Sequence, residues 1–300
     1  MSDASPRAQE PSAPAPAAAR ASCTVVQWPV FTCEHDLEND RGDGRERDSD
    51  TRQISHVSDD AVAFAEQHGF VVVRDVVPQP AIARLAETVQ RSAQALGVLT
   101  AGGAMASEGD GRGGWHVSPF DDPRWVQLQQ QVLPSPAFLA VGDSPPLLAL
   151  IARLGGGSAR TRRGDICRIL APQQPQQTMR PHQDHWYLGG PPVVWTAWLP
   201  LAPCAMDDGG LAVLPGSHRL GLRPHTGAGN GRQGCAVAVD AQWASGDLQP
   251  GDAVLFHCMT VHRTWHNLSE TRPRLSVDFR YQPRDAPLHT TRVDGTRAGT

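Results

Sequence analysis

The sequence predicts a mainly β domain with supporting helices, built as an antiparallel barrel or jelly roll. Two observations predict it. From about Thr161 onward, five short β-rich segments (DICRILAP, PVVWTAWLPLAP, GGLAVLPGSH, GDAVLFHCMTVH and RLSVDFRYQP) alternate with turn residues and carry no helical pattern between them. Upstream of them, helical periodicity surrounds a single β-branched run. The 29 Gly and 26 Pro among 300 residues agree with a turn-rich chain.

The elements follow in order. Residues 1 to about 22 are rich in Ala, Pro and Ser and cannot bury enough apolar surface to order themselves. Cys23 to Cys33 (CTVVQWPVFTC) is a short apolar island, either docked on the domain or a strand fragment, and residues 34–55 are charged and Gly-containing. The expected organisation is therefore a disordered segment over 1–55, one domain over 56–290 with its jelly-roll core from about 161, and a tail over 291–300. Ser58 with Asp59 and Asp60 reads as a helix start, since a hydroxyl caps free N–H groups and acids suit the first turn; Gly69 ends that helix. Gly69 to Val77 (GFVVVRDVV) reads as a buried strand. Pro78 to Leu96 reads as a helix with Ile82, Leu85, Val89 and Leu96 on or near one face. Residues 100–122 read as a long Gly-rich loop suited to covering a site, and Pro145 to Leu154 as another helix.

Composition excludes several chemistries. The 27 basic residues are all Arg. Without lysine there is no Schiff-base amine and no Walker A phosphate loop. A net charge of -4 and the absence of a like-charged run give no field for nucleic acid. Six scattered Cys form no CxxC pair, which fits a reduced, cytoplasmic protein without a zinc knuckle. No secretory signal and no run of eighteen apolar residues is visible, so no membrane partner is expected. Oligomeric state is not legible.

One constellation carries chemistry. In Pro181-His182-Gln183-Asp184-His185-Trp186-Tyr187, strand geometry would set His182 and Asp184 on one face, where imidazole and carboxylate can grip one metal ion. His262, after the strand AVLFH, supplies a third ligand. Two His and one carboxylate on one face of an octahedron leave three positions open, the arrangement of non-haem iron(II) oxygenases. An Arg ten to twelve residues beyond the distal His suits a dicarboxylate, because the planar guanidinium pairs bidentately with a carboxylate. On RLSVDFRY, Arg274 and Ser276 share a face; Arg272 is the alternative.

The stretch from His182 to Tyr281 resembles the phytanoyl-CoA dioxygenase family of 2-oxoglutarate oxygenases, which includes ectoine hydroxylase. HQDHWY, VVWTAWLPL, DDGGLAVLPGSHRLG, GDAVLFHCMTVHRTWHNLS and RPRLSVDFRYQP carry the resemblance, and weaker similarity reaches back to GFVVVRDVV. The resemblance implies a double-stranded β-helix, a cupin-like jelly roll. It implies iron(II) on His182, Asp184 and His262, 2-oxoglutarate and O2 as cosubstrates, and hydroxylation of a small molecule with release of succinate and CO2. It places the far carboxylate of 2-oxoglutarate on the Arg after the distal His. The family's usual spacing of eleven residues falls on Pro273, between Arg272 and Arg274. The Arg-x-Ser pairing with Ser276 favours Arg274. The resemblance also places Trp198 near the cosubstrate, with Thr196, Arg168 and Asn267 as further candidates for its pocket.

Trp115, His116, Trp186, Tyr187, Trp265 and His266 are candidates for the substrate pocket, each weighed against plain packing under a loop. Asp184 argues against halogenation, which needs a small residue there. An amino-acid derivative or secondary metabolite is the expected substrate, with desaturation or cyclisation as alternative outcomes. Two rivals remain at this stage: the same triad working without 2-oxoglutarate, and a non-catalytic jelly-roll binding module.

Overall fold

A computed structural model describes residues 25–32, 34–35, 55–56, 58–106, 122–155, 159–227 and 233–286. In chain order the elements are β1 (Val25–Gln27), β2 (Phe31–Thr32), β3 (Glu34–His35), β4 (Ser55–His56), α1 (Asp59–His68), β5 (Phe70–Arg74), α2 (Gln79–Ala95), α3 (Pro123–Val132), α4 (Pro136–Gly142) and α5 (Pro145–Leu154). They continue with β6 (Ala159–Leu170), α6 (Asp184–Leu188), β7 (Trp195–Pro200), β8 (Leu211–Val213), β9 (His225–Thr226), β10 (Gly234–Cys235), β11 (Trp243–Ser245), β12 (Ala253–His257), β13 (His262–Thr264) and β14 (Arg274–Pro283).

Two sheets form the jelly roll. The larger has the order β2-β5-β12-β7-β14-β6, and the smaller β1-β11-β8-β13. β5, β12, β7, β14 and β6 pair antiparallel in succession. Strand alternation divides each strand of the larger sheet between two faces. Leu275, Val277, Phe279 and Tyr281 of β14, Ala197 and Leu199 of β7 and Leu255 of β12 face outward. There they pack against Ile82, Leu85 and Val89 of α2, Leu128 of α3, Phe138 of α4 and Leu150 of α5. Gly142 at the end of α4 is required by this contact, because a Cβ there would sit 2.7 Å from the Phe279 ring.

The opposite faces enclose the barrel interior, and that interior is split. Phe70, Val72, Val254, Phe256, Leu211, Val213 and Ala244 make an apolar cluster at the β5–β12 end. At the β14 end the alternate residues are Arg274, Ser276, Asp278, Arg280 and Gln282, all buried. A second buried core forms only where the interior is apolar; the polar end is the part that needs a ligand or internal ion pairs to be tolerable.

The local signals read from the sequence hold for several elements. Ser58 caps α1, its Oγ accepting from Ala61 N at 3.3 Å, and Gly69 closes it with a left-handed φ of 78°. Ile82, Leu85 and Val89 are buried on α2 as expected. Helices α3 and α4, each capped by an acceptor side chain (Asp122 and Ser135), are additions to the expected set. The apolar island near the N-terminus docks: β1 pairs parallel with β11 and β2 parallel with β5, so one short segment joins an edge of each sheet. Trp28 between them is 2% exposed. The expectation of disorder across 1–55 therefore does not extend to residues 25–32, where the Trp28 indole and two edge ladders supply burial. No single helix among the described residues is long and apolar enough to cross a membrane.

Candidate metal centre

His182 and His262 are set opposite each other by a two-residue antiparallel bridge. Each backbone N–H donates to the other's carbonyl at 2.9 Å, which brings the two rings to 4.2 Å between centroids. The expected strand through Asp184 is not formed. The chain leaves the bridge at Gln183 and begins α6 at Asp184, so Asp184 reaches the histidines from the first turn of a helix. Gln183 fixes this turn. Its fully buried amide donates to Gly221 O at 3.0 Å and Met259 O at 2.7 Å, and accepts from Arg223 N at 2.8 Å.

The three side chains converge. Asp184 Oδ1 lies 3.9 Å from His182 Nε2 and 3.6 Å from His262 Nε2, and one donor atom from each residue lies within 4.8 Å of the others. Each imidazole has its Nδ1 against a backbone carbonyl: Arg180 O at 2.7 Å for His182, Thr260 O at 3.0 Å for His262. A carbonyl accepts only, so Nδ1 carries the proton and Nε2 presents its lone pair to the common centre. Burial pushes both imidazoles down, which keeps them neutral and able to ligate. Burial acts the other way on Asp184, but Arg280, His262, His182 and the Thr196 hydroxyl outweigh it and hold the carboxyl well below the usual carboxylate range. Two neutral nitrogens and one ionised oxygen, all buried, are the donor set of a divalent first-row metal.

A second cluster lies further along β14. Arg274 is 5% exposed, and its Nη1 donates to Ser276 Oγ at 3.1 Å. Its guanidinium stands 5.5 Å from the Trp198 ring. Among the described residues it has no carboxylate partner, and its Nε meets no acceptor. It lines a cleft with Arg168, Trp125, Gln177 and Met179. Burial pushes Arg274 down to about 10.

The other expected site residues fall into three groups. Thr196 donates to Asp184 Oδ2 at 2.6 Å, so it bears on the metal ligand rather than on the cosubstrate pocket. Arg168 lines the Arg274 cleft with its Nε on Asp278 Oδ2 at 2.9 Å. Tyr187 stands edge-on to His182 with ring centroids 5.7 Å apart and donates to Gln233 O; Trp186 stacks on His225 at 4.8 Å. His266 bonds Thr178 Oγ1 through Nδ1 at 2.7 Å.

Three assignments are corrected. Arg272 turns to the surface and pairs with Asp208 at 2.5 Å with its side chain 64% exposed, because Pro273 ends the loop and alternation from Arg274 inward leaves 272 outside the ladder. Asn267 is buried but spends its amide on Leu170 O and Arg272 O, anchoring the loop before β14 instead of facing the cleft. Trp265 packs with Trp243, Ala212 and Val261 on the face of the smaller sheet opposite Leu211 and Val213, beneath the Arg263 guanidinium. Trp115 and His116 lie outside the described residues.

Four participants were not foreseen: the buried Gln183, Asp278 and Arg280, and the half-buried Asp165. Arg280 Nε lies 3.0 Å from Asp184 Oδ2, and its Nη2 donates to Asp184 Oδ1 and to Asp278 Oδ2, both at 3.4 Å. Asp165 Oδ1 accepts from Arg280 N at 2.8 Å, where the β6–β14 register shifts and the ladder leaves that N–H unpaired. Burial raises Asp165 to about 7.

Comparison with known proteins agrees with this geometry. The sequence profile of the phytanoyl-CoA dioxygenase (PhyH) family matches residues 65–276. A 1-deoxypentalenic acid 11-beta-hydroxylase of Streptomyces arenae is 26% identical over 253 residues, 78% of this chain and 86% of that protein. The epimerase SnoN, solved with Fe3+, alpha ketoglutarate and nogalamycin RO, superposes with a TM-score of 0.56 at 20% identity, covering 77% of this chain and 85% of that one. EctD from S. alaskensis, solved with 2-oxoglutarate and 5-hydroxyectoine, gives 0.54 at 17% identity, covering 77% and 78%. At those identities the two structures speak to the fold, which is the jelly roll described above.

Proposed function

This chain belongs to the phytanoyl-CoA dioxygenase (PhyH) family, and from that premise we propose that it is an iron(II)- and 2-oxoglutarate-dependent dioxygenase that hydroxylates a small molecule. Iron(II) would be held by His182, Asp184 and His262, and the far carboxylate of 2-oxoglutarate by Arg274 with Ser276. The observation that carries the reading is Arg274: a buried guanidinium with no anion of its own, on the same interior face as a converged two-histidine, one-carboxylate set. A buried unpaired cation is costly, and an incoming carboxylate relieves that cost. The rival with the same triad and no 2-oxoglutarate leaves Arg274 without a purpose.

The bound metal and cosubstrate supply the oxidising chemistry, in which 2-oxoglutarate becomes succinate and CO2 while one oxygen atom of O2 is inserted into a substrate C–H bond. The chain's residues set the conditions for it. His182 and His262 would ligate through Nε2, because Arg180 O and Thr260 O occupy Nδ1–H. Asp184 offers Oδ1, since Oδ2 receives the Thr196 hydroxyl. Trp198 lies against the Arg274 guanidinium and holds it in a dry setting. Tyr187, edge-on to His182, would form part of the substrate wall. A carboxylate at 184 rather than a small residue leaves no room for a halide ligand, which supports oxygen insertion. The Streptomyces relative named for hydroxylating 1-deoxypentalenic acid supports a carboxylic acid of secondary metabolism as the substrate class, ahead of an amino-acid derivative.

The test is an anaerobic iron(II) titration of the full chain followed by aeration with 2-oxoglutarate and a panel of terpenoid acids and amino-acid derivatives. Succinate release and a mass gain of one oxygen atom in one panel member are expected, with both lost in His182→Ala. Iron uptake that is the same with and without His182 would end the proposal.

A further inference from the structure

Iron(II) held by His182, Asp184 and His262 would need its remaining positions for the 2-oxo acid and O2. A free carboxylate beside two histidines can chelate with both oxygens and would take one of those positions. Asp184 is not free. Its Oδ1 faces both Nε2 atoms and takes only a long contact from Arg280 Nη2 at 3.4 Å, while Oδ2 receives the Thr196 hydroxyl at 2.6 Å and has Arg280 Nε at 3.0 Å. Thr196 and Arg280 are direct cross-strand partners on β7 and β14, so the two groups reach the carboxylate from adjacent strands of one rigid sheet.

Arg280 is itself held. Its Nη2 bonds Asp278 Oδ2 at 3.4 Å, and the same oxygen takes Arg168 Nε at 2.9 Å. The result is a buried chain of alternating charge, Arg168–Asp278–Arg280–Asp184, running from the cleft that Arg168 shares with Arg274 to the metal ligand. Every member from Asp278 onward is under 5% exposed. The backbone of Arg280 is pinned as well, through its N–H to Asp165.

We propose that Arg280 is the positioning residue that confines Asp184 to a single ligating oxygen, with Thr196 as its partner, and thereby keeps the sixth metal position open. The proposal rests on the iron reading above. A lysine at 280 keeps the charge but lacks the fixed planar fork, so it cannot hold Nε and Nη2 on two carboxylates at once.

The experiment uses the full-length apo protein and cobalt(II), whose visible band reports coordination without turnover. Arg280→Lys and Thr196→Val are expected to melt within a few degrees of the unmodified protein. Their cobalt(II) affinity should fall by about 10- to 100-fold, the usual effect of removing an outer partner of a metal ligand. The cobalt band should lose intensity as the second carboxylate oxygen joins the ion. Where Arg280→Lys melts early, the charge-balanced double variant Asp278→Asn/Arg280→Gln takes its place, with the same loss of affinity expected. Unchanged affinity and an unchanged band in a folded Arg280 variant overturn the proposal. Failure of the unmodified protein to bind cobalt in a His182-dependent way overturns the iron reading instead, so the two failures are distinct.

Discussion

Replacing Arg274 with Met should make the empty protein more stable and the cosubstrate weaker. Burial pushes the guanidinium down from 12.5 to about 10, which corresponds to about 3 kcal/mol of unfavourable burial. The sign is that of a depressed cation: the penalty is present in full below the folded value and so throughout the neutral range, fading only as pH rises past about 10. Met removes the charge and roughly keeps the volume of the stem. Set against the gain is the lost bond to Ser276 Oγ, worth about 1 kcal/mol. A net gain of about 1–2 kcal/mol is left, which raises Tm by a few degrees in a domain of this size. Binding should move the other way. Losing a buried charge-assisted pair costs about 2–5 kcal/mol, or about 30- to 5,000-fold in 2-oxoglutarate affinity. The assay is thermal melting under anaerobic conditions with manganese(II), with and without 2-oxoglutarate, which reads both quantities at once. Arg272→Ala is the control, and should leave cosubstrate affinity unchanged because its side chain is on Asp208 at the surface. A less stable Arg274→Met protein that keeps the full 2-oxoglutarate shift would falsify the pairing.

Two further predictions concern the rest of the fold. Asp165 is raised to about 7 by burial, so the folded protein holds a proton that the unfolded chain releases near 3.8; this group's contribution to stability therefore declines as pH rises from about 4 to 7, by up to about 4 kcal/mol, and is level above that. Asp165→Asn, whose amide oxygen still accepts from Arg280 N, should flatten the Tm-against-pH curve in that window; an unaltered slope counts against the raised value. Trp28→Ala should cost about 3–5 kcal/mol as a fully buried aromatic, read by denaturant unfolding, and a loss under about 1 kcal/mol would mean that the segment bearing it does not dock.

The parts of this architecture that were legible in the sequence are those where one local rule decides. Ser58 with its acids and Gly69 mark the ends of α1 because caps act within one turn, and the run Phe70–Arg74 reads as a strand because β-branched residues fill a buried ladder. His182, Asp184 and His262 were visible because metal ligation restricts residue type. How they meet was not visible. The spacing of two fits a strand, yet the bridge to His262 and the buried amide of Gln183 turn the chain into α6 at Asp184, and that is a tertiary decision. Arg272 and Arg274 could be told apart only by which one enters the ladder. Arg280 was misleading for a related reason: alternation in RLSVDFRYQP sets Arg, Ser, Asp, Arg and Gln on one side and Leu, Val, Phe and Tyr on the other. That pattern ordinarily means a strand with one wet face.

The wet face of β14 is the barrel interior, and its charges explain why. Arg168, Arg274 and Arg280 stand among Asp184 and Asp278, with burial raising Asp165 to about 7. An Fe2+ ion and a 2-oxoglutarate dianion add no net charge to this interior, yet they change who is paired. Before loading, Arg274 lacks an anion and the two Nε2 lone pairs face one carboxylate oxygen; after loading, each has a partner of opposite character. The Arg168–Asp278–Arg280–Asp184 chain, by contrast, has each charge beside an opposite one without either ligand, although Asp278 Oδ1 and Arg280 Nη1 meet no hydrogen-bond partner. The interior thus separates a permanently paired half, which holds the geometry, from an unpaired half, which holds the affinity. It follows that substitutions in the first half should disturb how the metal is bound, whereas Arg274 substitutions should leave metal affinity unaltered and move only the cosubstrate; a cobalt(II) titration of Arg274→Met that weakens like Arg280→Lys would show that the two halves are not separate.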